Sequence, residues 1–330
     1  MKRNLYLTKN GRLCRQESTI YYYTREGRRA VPVNQVKAIF AVGRITVTSG
    51  AISFFSHLGL PIHFFGHYGT YEGSFYPRKR LISGHALIRQ AAAHMNQSRR
   101  TEIARSIVTS CVLNMMSVLS PYRWRKKQLV SVISELQAVL EVIPKAGDIP
   151  TLMSIEGRAW NIYYGAFDII LTGFTMGPRV RRPPNNPVNA LISFGNSLLY
   201  SVVLTQLYHT QLDPSISFLH EPLERRFSLA LDISEVFKPG FVDVTIFRVL
   251  NTRTLSEDDF ERDLNYCVLN EEGRRKFLLE FDALLRTTVK HPGLRRNVSN
   301  ELLIRLDCYK LLKAVVENRP FVPFLLSRGM

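Results

Sequence analysis

Four side chains in this 330-residue sequence have the types and spacing that metal-assisted chemistry needs. Asp232 and Glu235 stand three apart in LALDISEVFK, so on a helix both carboxylates project from one face. Leu229, Leu231, Ile233 and Val236 surround them with apolar side chains. His220 precedes this helix, expected to begin near Arg226, in a turn marked by Pro222 from which an imidazole reaches the same face. Glu156 opens SIEGRAWNIYYGAFD, where Trp160, Tyr163 and Phe167 follow at spacings of four, seven and eleven. Ile155, Ala159, Ile162 and Ala166 fill the next face, so the segment reads as a core helix, apolar over most of its circumference. A carboxylate at its head must stay exposed, meet a cation or bind a metal, because an unpaired buried charge is too costly.

Combined, these residues make an oxygen-rich site with one nitrogen ligand. That set suits Mg²⁺ or Mn²⁺, the histidine favouring Mn²⁺, and suits Zn²⁺ less well. The plainer alternative pairs Asp232 and Glu235 with Arg225, Arg226 or Lys238 and leaves His220 as an ordinary turn residue. Spacing alone leaves both open, and structural ion pairs are commoner than catalytic clusters.

The charge balance says what such a site acts on. With 44 Lys+Arg against 27 Asp+Glu, the chain carries a net charge of +17, which points to a polyanionic partner, most simply nucleic acid. On a basic protein, the metal reading becomes phosphodiester chemistry. Basic runs recur: RRAV at Arg28, PRKR at Arg78, SRR at Arg99, YRWRKK at Tyr122, RVRR at Arg179 and GLRR at Arg295. Each alone is more simply a solvated surface. Interleaved Tyr and Trp in YRWRKK suit phosphate contact with stacking on unpaired bases. No Walker sequence or GxGxxG loop supports nucleotide use, and no Ser or Cys sits in a nucleophile motif.

The elements that must position these residues change character along the chain. Residues 1–83 read as short alternating or aromatic strands, with KNGR and REGR as turns and one helix in SGAISFFSHLG, and carry 13 Lys+Arg against 3 Asp+Glu. His57, His63 and His67 lie here without carboxylates and read as core or surface histidines. From residue 84 helical periodicity takes over. The expectation is an α+β protein: a small, β-sandwich-like N-terminal domain (1–83) followed by a larger all-α C-terminal domain (84–330). Asn186 and Pro187 form an N-cap and N1 pair for the helix of NALISFGNSLLYSVVLTQL. That stretch is uncharged and nearly long enough to span a bilayer, but Asn189, Asn196, Gln206 and its hydroxyls favour a buried helix. No signal peptide is visible, and Cys14, Cys111, Cys267 and Cys308 form no CxxC pair, so a reducing cytoplasm and neither disulfides nor a thiolate zinc site is expected.

IEGRAWNIYYGAFD, PPNNPVNALISFGNSLLY, FLHEPLERRFSLALDISEVFKP and PIHFFGHYGTYEGSFYPRKRLISG together resemble the CRISPR-associated adaptation integrases, which insert new spacers into CRISPR arrays. The resemblance spans nearly the whole chain, and its β-domain run is most similar to type I-B members. It implies a homodimer joined largely through the β domains, two such dimers flanking a dimer of the small ferredoxin-like companion adaptation protein in a prokaryotic cytoplasm, with a RecB-like iron–sulfur nuclease as a further processing partner. It places the catalytic residues on Glu156, His220, Asp232 and Glu235, with Glu156, His220 and Glu235 holding Mg²⁺ or Mn²⁺. The implied reaction is attack by a 3′-hydroxyl of prespacer DNA on a phosphodiester at the edge of a CRISPR repeat. A nuclease that only cuts and a non-catalytic nucleic-acid scaffold are the alternatives. One position departs from the pattern: Asn186, before PVNAL, stands where the family often has Asp.

Overall fold

A computed structural model describes residues 2–78, 81–181, 183–222, 227–263, 266–291 and 293–326. Lys79, Arg80, Arg182, Arg225 and Arg226, and with them the expected start of the Asp232 helix, lie outside the described residues.

The N-terminal region forms β1 (Arg3–Leu7), β2 (Gly11–Gln16), β3 (Thr19–Thr24), β4 (Gly27–Val31), β5 (Val36–Ala41), β6 (Ile45–Val47), helix α1 (Ser49–Leu58), β7 (Ile62–Phe65) and β8 (Tyr71–Phe75). Two four-stranded sheets result, in orders β1-β5-β7-β8 and β4-β3-β2-β6. REGR closes the β3–β4 hairpin, with Thr24 opposite Gly27 at φ +126°. KNGR turns the chain without making a hairpin: it carries β1 of the first sheet to β2 of the second, because β1 pairs in parallel with β5. Its glycine serves a close approach, since a Cβ on Gly11 would stand 2.3 Å from the Tyr23 carbonyl oxygen.

Strand β5, VKAIFA, is apolar almost throughout because both its faces are covered. Ile39 and Ala41 join Leu13, Ile20, Phe55 and Ile62 between the two sheets. Ala38 and Phe40 face the other way and pack into the large helical core. The strand-rich and helical regions therefore share a continuous apolar seam, each large side chain buried there being worth roughly 2 kcal/mol. His63 on β7 bridges this seam, bonded to Ser74 Oγ at 2.6 Å and to Thr205 Oγ1 at 2.8 Å. Burial pushes its pKa down to about 3, so it is the neutral core histidine expected.

The helical region runs α2 (Gly84–Met95), α3 (Gln97–Leu119), α4 (Leu129–Val142), α5 (Ile149–Gly165), α6 (Phe167–Ile170), α7 (Pro187–Tyr208) and α8 (Ser228–Lys238). A π-helical turn, Pro239–Asp243, links α8 to α9 (Val244–Asn251). Two short ribbons, β9 (Phe260–Asp263) with β10 (Tyr266–Leu269) and β11 (Thr288–His291) with β12 (Arg296–Ser299), flank α10 (Glu271–Arg286), and α11 (Asn300–Val316) follows. This region is therefore mainly but not purely helical. The periodicity misses the ribbons because each strand is only four residues long and lies between strongly helical segments.

The cap expected at the head of α7 is present: Asn186 Oδ1 accepts the Asn189 N–H at 2.8 Å, with Pro187 at N1. Asp148 caps α5 in the same way, accepting the Thr151 N–H at 2.8 Å. Helix α7 is buried along nearly its whole length, as is most of α3, the other helix among the described residues long and apolar enough to span a bilayer. All four cysteines are free thiols.

Candidate active site

Helices α5 and α8 pack on α3 and present their polar residues to one another. Glu156 lies one turn before Trp160 on α5, and the Trp160 indole N–H donates to Glu235 Oε2 at 3.0 Å, tying the two helices together. On the other oxygen of Glu235, Oε1 accepts from the Lys238 ammonium one turn further along α8. Lys238 Nζ lies 5.5 Å from the Trp160 ring centroid, so indole, carboxylate and ammonium form one packed unit. The ion pair expected on plain structural grounds is therefore present, through Lys238.

Asp232 does something different. Its Oδ2 accepts the backbone N–H groups of Phe218 at 2.6 Å and Leu219 at 3.0 Å; its Oδ1 accepts that of His220 at 2.9 Å and meets His220 Nδ1 at 2.9 Å. A fully buried carboxylate with four such contacts is satisfied, and its job is to hold the 218–220 loop and one nitrogen of the imidazole. With Nδ1 donating to Asp232, Nε2 keeps its lone pair for a ligand or proton. Three further side chains pin the loop from its other side. Gln90 Nε2 donates to the carbonyls of Asp213 at 2.9 Å and Ile216 at 2.7 Å, His94 meets Ser217 O at 2.7 Å, and Arg100 Nε donates to Phe218 O at 2.9 Å. No sequence signal marks these three, since each acts across more than 110 positions of chain.

The charges are set by burial and by one another. Burial, then the neighbouring negative Glu235, pushes the Glu156 pKa from 4.5 to about 7, against the pull of Lys238 and His220. For Glu235 burial works upward, but Lys238 and His220 outweigh it and hold the carboxyl below its ordinary value. His220 is likewise opposed by burial and raised overall by Asp232 and Glu235. Two nearby carboxylates thus have environments that push their pKa values apart, a recurrent feature of catalytic sites.

Behind Lys238, the π-helical turn presents Asp243, buried beside Tyr163; burial drives its pKa well upward. Such turns recur at functional sites, and this one starts at Pro239, which has no N–H for the helical ladder. Arg179 approaches from the loop before α7, its guanidinium donating to Asn189 Oδ1 and Ser193 Oγ, both at 3.1 Å. Asn189 also donates to Pro178 O and Asn185 Oδ1, each at 2.9 Å, so it ties that loop to the helix.

As a donor set, Glu156, Glu235 and the free nitrogen of His220 fit a hard divalent cation with borderline tolerance for nitrogen. Among the described residues, no three His, Cys, Asp or Glu side chains are drawn together into a finished metal cluster. The cation at this centre of negative charge is Lys238.

The profile of the family described as CRISPR associated protein Cas1 matches residues 5–283. The chain is 45% identical over 326 residues to the CRISPR-associated endonuclease Cas1 of Methanothermobacter thermautotrophicus, covering 98% of this chain and 95% of that one. Among solved structures it is similar to a Cas1 protein from Thermotoga maritima, with a TM-score of 0.88, 38% identity and coverage of 97% and 99% of the two chains. A casposase bound to integration product shares the fold at 18% identity, with a TM-score of 0.89 over 99% of this chain and 95% of that one. The order of motifs, the two sheets leading into a helical region and the near-complete match to curated relatives agree: this chain belongs to the Cas1 family of CRISPR adaptation endonucleases and integrases.

Proposed function

We propose that this protein inserts prespacer DNA into a CRISPR array by metal-dependent transesterification, with Glu156, His220 and Glu235 holding Mg²⁺ or Mn²⁺. The observation that carries this reading is the pair of carboxylates, Glu156 and Glu235, on separate helices yet near enough for Glu235 to raise the Glu156 pKa, with a histidine nearby that Asp232 orients, in a chain of net charge +17. When bound, the metal supplies charge stabilisation on the phosphoryl oxygens and lowers the pKa of an attacking hydroxyl. The chain's own residues do the rest. Asp232 keeps the His220 imidazole in one orientation, and Lys238 keeps Glu235 ionised and ready to accept a cation. Trp160 fixes the spacing of α5 against α8.

In the reaction, one phosphorus–oxygen bond forms to the incoming 3′-oxygen as one breaks to the repeat's own 3′-oxygen. The attacking hydroxyl loses a proton and the leaving oxygen gains one. No nucleotide hydrolysis is needed, since the number of phosphodiester bonds is unchanged. The working assembly is two homodimers flanking a dimer of the small ferredoxin-like companion protein in the prokaryotic cytoplasm, with a RecB-like iron–sulfur nuclease trimming prespacers. The name endonuclease carried by the Methanothermobacter relative favours a second reading, cutting of DNA without joining.

The test uses purified protein, with and without the companion protein, Mn²⁺ or Mg²⁺, a labelled 3′-hydroxyl duplex and a supercoiled plasmid carrying a repeat. Label joined to plasmid, lost in Glu156→Ala, His220→Ala and Glu235→Ala while DNA binding persists, is the expected result. Cleavage without joining in the presence of the companion favours the second reading, and wild-type joining in any of the three variants sinks the site.

A further inference from the structure

The connection between α3 and α4 carries Tyr122-Arg-Trp-Arg-Lys-Lys127, and it is not a loose loop. The N–H groups of Arg125 and Lys126 both bond the Tyr122 carbonyl at 3.0 Å, and Leu129 N–H returns to Lys126 O at 2.9 Å. Tyr122 anchors it from below, packed edge-on against Phe247 at 5.9 Å between centroids. On this rigid turn the Trp124 side chain is 79% exposed, with the Arg123 guanidinium 4.8 Å from its ring centroid. Arg123, Arg125, Lys126 and Lys127 are exposed, and none of the four makes an ion pair among the described residues. No acidic residue occurs in sequence between Glu102 and Glu135.

An exposed Trp is uncommon on a soluble surface unless something covers it. Four cations within five positions, unpaired among the described residues and with no acidic residue near them in sequence, specify a polyanion. Duplex phosphates need only the cations; a flat indole standing among them adds a stacking plane, which bases already stacked within a duplex do not use. The loop also connects physically to the catalytic residues. Tyr122 touches Phe247, Phe247 touches Phe167 at 4.7 Å, Phe167 touches Tyr164 at 5.3 Å, and Tyr164 touches Trp160 at 5.1 Å, the residue bonded to Glu235.

We propose that the Tyr122–Lys127 loop is a binding site for an unpaired stretch of DNA: Trp124 stacks on one exposed base, while Arg123, Arg125, Lys126 and Lys127 hold the flanking phosphates. This assignment rests on the reading that DNA is the substrate. It makes the loop a discriminator between single-stranded ends and fully paired duplex.

The test compares the full-length wild type with Trp124→Ala and Trp124→Phe in binding a single-stranded oligothymidine and a blunt duplex of equal length. Trp124→Ala is expected to weaken single-strand binding roughly 5- to 150-fold, as loss of one base–aromatic stack does, with Trp124→Phe keeping part of the affinity. Blunt-duplex affinity is expected to stay near wild type. The oligothymidine should quench tryptophan fluorescence in the wild type and not in Trp124→Phe, because the remaining Trp160 is only 8% exposed. Equal loss for both DNA forms overturns stacking and leaves a plain phosphate patch. Quenching by phosphatidylserine vesicles and not by oligothymidine overturns the proposal in favour of a membrane surface. Unchanged single-strand affinity in Trp124→Ala, with joining still dependent on Glu156, overturns the loop assignment and leaves the integrase reading standing. A wild type that binds neither DNA form overturns both.

Discussion

Replacing Glu156 by Gln should stabilise the metal-free protein, by an amount that grows as pH rises from about 4.5 to about 7. Gln keeps the size and one acceptor oxygen of the side chain and removes its charge. In the folded protein burial and Glu235 raise the Glu156 pKa from 4.5 to about 7. A group whose folded pKa lies above its unfolded value contributes stability that is fully present below about pH 4.5 and lost as pH rises through about 7. That shift corresponds to about 3 kcal/mol of unfavourable free energy once the carboxylate is fully ionised, an upper value, with the attractions of Lys238 and His220 already included. The variant should therefore match the wild type near pH 4 and exceed it by about 3 kcal/mol above pH 8. For a chain of 330 residues the unfolding entropy makes this a rise in Tm of roughly 4 °C. Differential scanning calorimetry in chelator across pH 4–9 measures it. Adding Mn²⁺ at pH 8 should then reverse the order, because binding to the folded wild type raises its Tm and the variant has lost a ligand. Parallel Tm curves for the two proteins across the whole pH range would refute the claim that Glu156 is held at a cost to stability.

Two other expectations concern the loop around His220 and the chain's charge. Asp232→Ala leaves three backbone N–H groups and an imidazole nitrogen without their acceptor, so urea denaturation should show a loss of about 3 kcal/mol. Asp232→Asn, keeping one acceptor oxygen, should lose less, and an unchanged midpoint in both variants contradicts the pinning role. DNA affinity should fall linearly in log–log form with salt, with a slope of about −0.9 for each phosphate neutralised; fluorescence anisotropy between 50 and 200 mM salt would show a flat line if the +17 charge played no part in binding.

Much of the candidate site is legible in the sequence because its chemistry is local. Asp232, Glu235 and Lys238 are spaced three apart, so helical geometry alone puts them on one face, and the apolar residues around Glu156 announce a helix that packs one face, though α5 begins at Ile149, puts Glu156 mid-helix and leaves its other face exposed. Periodicity carries α5 slightly too far: the helix ends at Gly165 and Phe167 belongs to the short α6, with Ala166 between them. The division of labour between the two acids of α8 is not legible. Whether a carboxylate holds a loop or remains able to bind a ligand depends on which backbone N–H groups arrive from elsewhere, and those of residues 218–220 come to Asp232.

The sequence by itself determined the class of elements, strands first and helices after them, the cap at Asn186, the basic charge and the buried character of the Asn189 helix; the Glu156 helix buries one face only, through Ile149, Leu152, Ala159, Trp160 and Tyr163. Periodicity, capping chemistry and charge act over a few residues, so they can be read in order along the chain. Only the tertiary structure decided that β5 is buried on both faces, that Gln90, His94 and Arg100 hold the histidine loop, and that Trp160 and Lys238 share Glu235. It alone also set the raised pKa of Glu156. Desolvation and the field of Glu235 arise from packing two helices whose bond from Trp160 to Glu235 spans 75 positions of chain, and no local pattern encodes how closely they meet.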